Sequence, residues 1–137
     1  MSAVAENKSD MISNMTPELQ PGCYVFATFP DGESPDELVQ LAISVFKEKE
    51  GVSLILSVEV AEGAGICVVD EMRCITLNVY SSLHGVGLTA AVSTALGEHG
   101  IPCNMVAAYH HDHVFVPAEM SEQAMQVLVS LQNEEQR

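Results

Sequence analysis

Two short stretches hold the residues that could do chemistry. The first is the run from Asn78 through Ser81, Ser82, His84, Gly85, Val86 and Gly87 to Leu88. It follows a strand-like segment and opens a helix-like one. Gly85 and Gly87 let the backbone come close to a ligand, and the free N–H groups at a helix start favour a carboxylate. The serine hydroxyls and His84 add donors. The second stretch is Tyr109-His110-His111-Asp112-His113, where three imidazoles and a carboxylate crowd a polar tip. These are metal-ligand types, but neighbours along a strand point to opposite faces. His111 and His113 alone would converge from one side, which is too few ligands for a metal. The tip is therefore expected to supply a second ligand contact through His111, Asp112 and His113, with no metal and no cofactor.

A catalytic set is not expected. Ser82 and His84 sit two apart in one turn with no acid to orient the imidazole, so they form no triad. The acids Glu59 and Glu62 fall on a loop edge, and Glu134 and Glu135 in a tail. A metal-dependent hydrolase using the His/Asp tip is the weakest of three functional readings. The other two are a ligand-binding regulator and an interaction module that holds no ligand.

Charge narrows the partners. Nineteen Asp and Glu face five Lys and Arg, giving a net charge of −14. So few cations cannot make the basic face that nucleic acid requires, and an anionic membrane is disfavoured for the same reason. No apolar run reaches the ~20 residues that span a bilayer. The first fifteen residues lack a basic start followed by an apolar block, so a cytoplasmic protein is expected. The four cysteines, Cys23, Cys67, Cys74 and Cys103, have no zinc-knuckle spacing and are expected to be buried free thiols.

The elements that must position these groups follow from periodicity. Residues 1–20 read as a polar lead-in, with Met11, Ile12 and Met15 on one face of a helical turn. Residues 23–29 (CYVFATF) read as a strand stopped by Pro30-Asp31-Gly32. Ser34-Pro35-Asp36-Glu37 opens a helix expected to run to Lys49, with Leu38, Ala42, Val45 and Phe46 facing inward. Residues 52–60 (VSLILSVEV) alternate as a strand, 62–65 form a loop and 66–69 a short strand. A strand over 73–80, a helix from 86 to 99 with Gly100 just past its end, and a hairpin of 105–109 with 114–116 follow. The last helix is expected from 119 or 121 to 131, with 133–137 frayed.

The second half, β–α–β–β–α, lacks the final strand of a ferredoxin-like unit. A strand from the first half is expected to complete its sheet. The halves would then be inseparable, divided as lead-in 1–20, first half 21–70 and second half 71–137.

This half resembles an ACT domain, the small regulatory module of amino-acid metabolism. The resemblance rests on strand 75–80, turn 82–87, the helix to His99, and Gly100-Ile101-Pro102 ahead of Cys103-Asn104. More broadly, PELQPGCYVFATFP, EGVSL, YSSLHGVGLTAA and AAYHHDHVFVP make residues 15–131 similar to small stand-alone proteins of two ACT-like halves. These are related to the regulatory ACT pair of aspartate kinases. The resemblance implies an α+β fold, with antiparallel sheets and helices on one face. It also implies a non-enzymatic, homo-oligomeric regulator that binds an amino acid through the turn and Asn104. Where the family carries an acid just before the glycine turn, this chain has Ser81 and Ser82.

Overall fold

The computed structural model describes residues 7–79 and 85–136. The chain divides into two compact units. One joins residues 1–21 to 73–137, and the other is residues 22–72.

In the first unit, α1 (Lys8–Ser13) leads into the short strand β1 (Pro17–Leu19). Later in the chain come β5 (Met72–Leu77), α4 (Leu88–Glu98), β6 (Asn104–Ala107), β7 (Asp112–Pro117) and α5 (Ser121–Gln136). The strand order is β1-β5-β7-β6. That is the ferredoxin-like order, with β1 in the place of the fourth strand. The expected completing strand therefore comes from residues read as a loose lead-in. Pro17 pairs with Leu77 and Leu19 with Ile75, antiparallel, and Asn78 N–H continues the ladder onto the Met15 carbonyl.

Helix α1 is short, so packing rather than propensity must hold it. Asn7 caps it through the Asp10 N–H, and Met11, Ile12 and Met15 are all fully buried. They join Ile75, Leu77, Val92, Leu96, Val114 and Leu128 in one core.

Two helix ends show the local chemistry. After α4, Gly100 takes φ of 69°; its N–H bonds the Gly97 carbonyl, and Ile101 N–H bonds Leu96. This is the double bond of a Schellman cap, which favours a residue without a Cβ. Helix α5 runs to Gln136 and not to 131. Its supposedly frayed tail is held because Gln132 Nε2 donates to the Ser13 carbonyl at 3.0 Å and to Thr16 Oγ1 at 3.1 Å, and Gln136 Nε2 to Ser13 at 2.7 Å.

The second unit contains β2 (Tyr24–Pro30), α2 (Asp36–Leu41), β3 (Ser44–Lys47), β4 (Gly51–Ser57) and α3 (Val58–Gly63). The strands are antiparallel in the order β3-β4-β2. Val25, Leu38, Leu54, Leu56 and Ala61 form its core.

Here the sequence reading needs three corrections. The helix from Ser34 does not reach Lys49. It stops at Leu41, and Ser44–Lys47 pairs along β4 instead, because a strand there satisfies an edge that a helix would leave open. Val45 and Phe46 then face outward, Phe46 with 68% of its surface exposed. The strand from residue 52 ends at Ser57, which caps α3 by accepting from Val60 N–H at 3.2 Å. That cap overrides the β-preference of Val58 and Val60. Residues 66–69 form no strand.

Candidate functional site

Strand β5 positions the candidate turn at its C-terminal end, and α4 closes the turn. Ser81, Ser82 and His84 lie outside the described residues. Asn78 sits just past β5, and its amide is already engaged. Nδ2 donates to the Thr16 carbonyl at 3.2 Å and to Glu18 Oε1 at 3.0 Å. A carboxylate from β1 thus stands at the mouth of the turn, where the local sequence offers only serines. Nothing in the local pattern marks Glu18. Its place depends on pairing across more than fifty residues, in which it lies opposite Thr76.

At the other end of the turn, Gly87 is the helix cap, with φ of 108° and no side-chain capping bond. Its carbonyl accepts from Ala91 N–H at 2.9 Å. A Cβ on Gly87 would meet the Lys8 stem, with Lys8 Cβ and Cγ at 3.0 Å. Both its backbone angle and this close approach therefore require glycine. Lys8, absent from the sequence-level site, lies against the turn through α1. Val86 is 78% exposed, Gly85 is half-buried, and Leu88 turns its side chain into the core. Leu88 therefore has only its backbone to offer a ligand. The first N–H groups of α4 have no intrahelical acceptor, as at any helix start.

Asn104 is engaged in the hairpin. It opens β6 opposite Phe115, and its Nδ2 donates to the Phe115 carbonyl at 3.2 Å.

The His/Asp tip is a tight connection, with Ala108 N–H bonded to the His111 carbonyl at 3.0 Å. The rings of His111 and His113 do converge, 6.4 Å apart and nearly perpendicular. His113 reaches inward and belongs to a polar chain that the sequence did not reveal. Its Nδ1 is 3.0 Å from Thr76 Oγ1, which also accepts from Gln20 Nε2 at 3.0 Å. Gln20 in turn offers its carbonyl to Arg73 Nη2 at 3.0 Å. Thr76 is buried, and the Arg73 Nε is buried without a hydrogen-bond partner among the described residues.

Burial pushes His113 below the usual histidine range, and His111 adds to that, while Asp112 opposes it. A neutral imidazole whose Nδ1 accepts the Thr76 hydroxyl proton satisfies both residues. Burial pushes Asp112 above the usual carboxylate range, against the pull of His113 and His111. Among the described residues no group of three or more His, Cys, Asp or Glu could hold a metal ion.

The cysteines are free, but Cys74 alone is buried; Cys23 and Cys103 are half-buried and Cys67 is exposed. Cys67 escapes burial because the strand expected around it does not form. Burial raises the Cys74 thiol, partly offset by a hydrogen bond to Thr76, and raises Cys103 likewise. Thiols so shifted are poor nucleophiles. Among the described residues no helix is long and apolar enough to cross a membrane.

Comparison with known proteins agrees with this architecture. Residues 6–73 match one family model described as an ACT domain, and residues 69–130 match a second described in the same words. The first match takes in α1 and β1, which pack in the unit formed with residues 73–137. Among solved structures, the chain is similar to a Vibrio cholerae protein of unknown function described as a possible transport protein. The two are 41% identical, with a TM-score of 0.79, over 90% of this chain and 94% of that one. It also resembles the ligand-free regulatory subunit of aspartate kinase from Thermus thermophilus. There the identity is 11% and the TM-score 0.64, over 84% of this chain and 95% of that one. An Agrobacterium tumefaciens protein shares 16% identity with a TM-score of 0.67, over 85% of this chain and 87% of that one. At such identities the last two likenesses speak for the fold alone. No curated protein gives a significant match.

Proposed function

The chain belongs to the ACT-domain family, whose members are regulatory ligand-binding modules, and on that premise we propose that it is a non-enzymatic cytoplasmic regulator that binds an amino acid. The ligand is held at the turn between Asn78 and Leu88. The observation that carries this reading is the start of α4 at Gly87, which has no side-chain cap among the described residues, with the Lys8 stem packed on it. N–H groups without an intrahelical acceptor, beside the lysine of α1, suit a ligand carboxylate. Glu18, held at the strand end by Asn78, supplies the opposite charge for a ligand ammonium. The two charges of a zwitterion thus find partners from α1 and β1. Ser81, Ser82 and His84, which fall between Asn78 and Leu88 in the sequence, add hydrogen-bonding groups to this reading, and His111, Asp112 and His113 give a second contact. The test is a thermal-shift screen of the twenty amino acids against the full chain. A saturable rise in melting temperature for one or a few of them is expected, and no response to any of them overturns the reading.

The interaction reading has its own observation. Strand β3 ends its sheet order, and Ile43 and Phe46 beside that edge are 54% and 68% exposed. Glu48 and Gly51 bond each other in both directions, so the outward backbone groups of the antiparallel ladder fall at Val45 and Lys47. A two-fold axis at Phe46 would pair Val45 of one copy with Lys47 of the other, twice, and stack Phe46 on itself. We infer a homodimer through β3. Light scattering is expected to give twice the 14.7 kDa chain mass at micromolar concentration, and Phe46→Lys to give the monomer. A monomeric wild type contradicts it.

A further inference from the structure

Within residues 22–72, a cleft of about 400 Å³ opens between α2 and α3, and none of the described residues of the glycine turn lines it. Phe29 of β2, Leu38 and Leu41 of α2 and Val60 of α3 give it apolar walls. Leu41 leaves 52% of its surface open. Glu37 and Glu59, in the first turns of the two helices, also line it, and among the described residues no Lys, Arg or His does. Its volume falls in the range of small-molecule pockets, about 300–1,000 Å³.

The charge around it is one-sided. Residues 22–72 carry ten carboxylates and two lysines. An apolar wall favours a hydrocarbon body, and a rim of two carboxylates favours an ammonium. A ligand carboxylate would meet two like charges here and no counter-charge. The cleft therefore discriminates against the zwitterions that suit the turn at Gly87.

We propose that the α2–α3 cleft binds a primary amine on an apolar chain or ring, with its ammonium at Glu37 and Glu59 and its body against Phe29, Leu38, Leu41 and Val60. The natural ligand class is a decarboxylated amino acid or another hydrophobic monoamine. This site stands whether or not the glycine turn binds an amino acid.

Gly63 provides the clean test, because it lines the cleft and a Cβ built there meets nothing within 4 Å. Gly63→Leu would add a side chain at the wall of the cleft, its Cβ free of contact with the fold. The probes are hexylamine, hexanol and norleucine, the last carrying a carboxylate beside its amine. Each is titrated into the ¹⁵N-labelled full chain and followed by NMR. Saturable shifts from hexylamine are expected at Leu38, Leu41 and Val60. Norleucine and hexanol should bind at least about fivefold more weakly, the scale of exposed ion pairs. The double variant Glu37→Gln/Glu59→Gln, nearly isosteric and safe for the fold, should weaken hexylamine by about fivefold. Gly63→Leu should abolish binding with no loss of melting temperature, since leucine is the better helix former. Shifts that never saturate, norleucine binding as tightly as hexylamine, or full binding by either variant would each overturn the assignment.

Discussion

Replacing Met15 by alanine tests whether the first twenty residues are structural. Met15 is completely buried, and its core includes Met11, Ile12, Leu77, Leu96 and Leu128. Its carbonyl also receives the Asn78 N–H, which the substitution leaves in place. Truncating a fully buried methionine costs about 2–5 kcal/mol, the lost transfer energy plus the cavity left behind. A small domain has about 5–15 kcal/mol in all, so the variant should fold but sit much closer to its limit. With a urea slope of about 1–3 kcal/mol per molar, a 3 kcal/mol loss moves the midpoint down by about 1–3 M at unchanged slope. The assay is urea unfolding followed by far-UV circular dichroism, with Gln126→Ala as the exposed control. If residues 1–20 were a loose lead-in, Met15→Ala would shift stability by no more than about 0.5 kcal/mol, as exposed substitutions do. A shift that small refutes the packing described here.

Two further outcomes follow from the same structure. A fragment of residues 73–137 lacks β1 and α1, so it should stay molten and bind a hydrophobic dye, and adding a peptide of residues 7–21 should restore a cooperative melt; a sharp melt by the fragment alone contradicts this. Acid should weaken the fold through His113, because burial depresses its folded pKa below 6.5. The unfolded chain then takes up the proton first, and the stability present above about pH 6.5 is lost as pH falls through the folded value. Asp112 has the opposite sign. Its folded pKa is raised above 3.8, so its contribution is full below pH 3.8 and lost as pH rises through the folded value. Urea midpoints between pH 7 and 5 should therefore fall more steeply for the wild type than for His113→Gln, and equal slopes count against the Thr76–His113 account.

Where the hydrophobic pattern and the end signals agreed, the sequence was readable. Leu88, Val92 and Leu96 recur at helical spacing, and Gly100 stops the helix with a cap that its missing Cβ allows. The hairpin of β6 and β7 is as local, with Ala107 opposite Asp112. Long-range partners decided the rest. Residues 42–47 suit a helix by their apolar spacing, and only the presence of β4 makes them a strand. Residues 17–19 look like an irregular stretch between prolines until β5 lies beside them. Gln136 falls in the tail expected to fray, yet it reaches back to Ser13, more than a hundred residues away in the chain. The candidate site divides the same way. Gly87 marks the start of α4 in the sequence itself, whereas Glu18, Lys8, Gln20 and Thr76 arrive through strand pairing and helix packing that no local pattern encodes.

In the proposed site, an amino acid binds at the start of α4 between charges brought by α1 and β1. Calorimetric titration of the amino acid selected by the thermal-shift screen tests it most directly, using the wild type, Lys8→Ala and Glu18→Gln. Both substituted side chains are exposed, so the unliganded melting temperature should hold within a few degrees. Affinity should fall in both variants by about fivefold or more, the scale of a charged hydrogen bond worth ~1.5 kcal/mol or an ion pair near ~1 kcal/mol. Wild-type affinity in both variants would contradict the claim and move the ligand away from this turn.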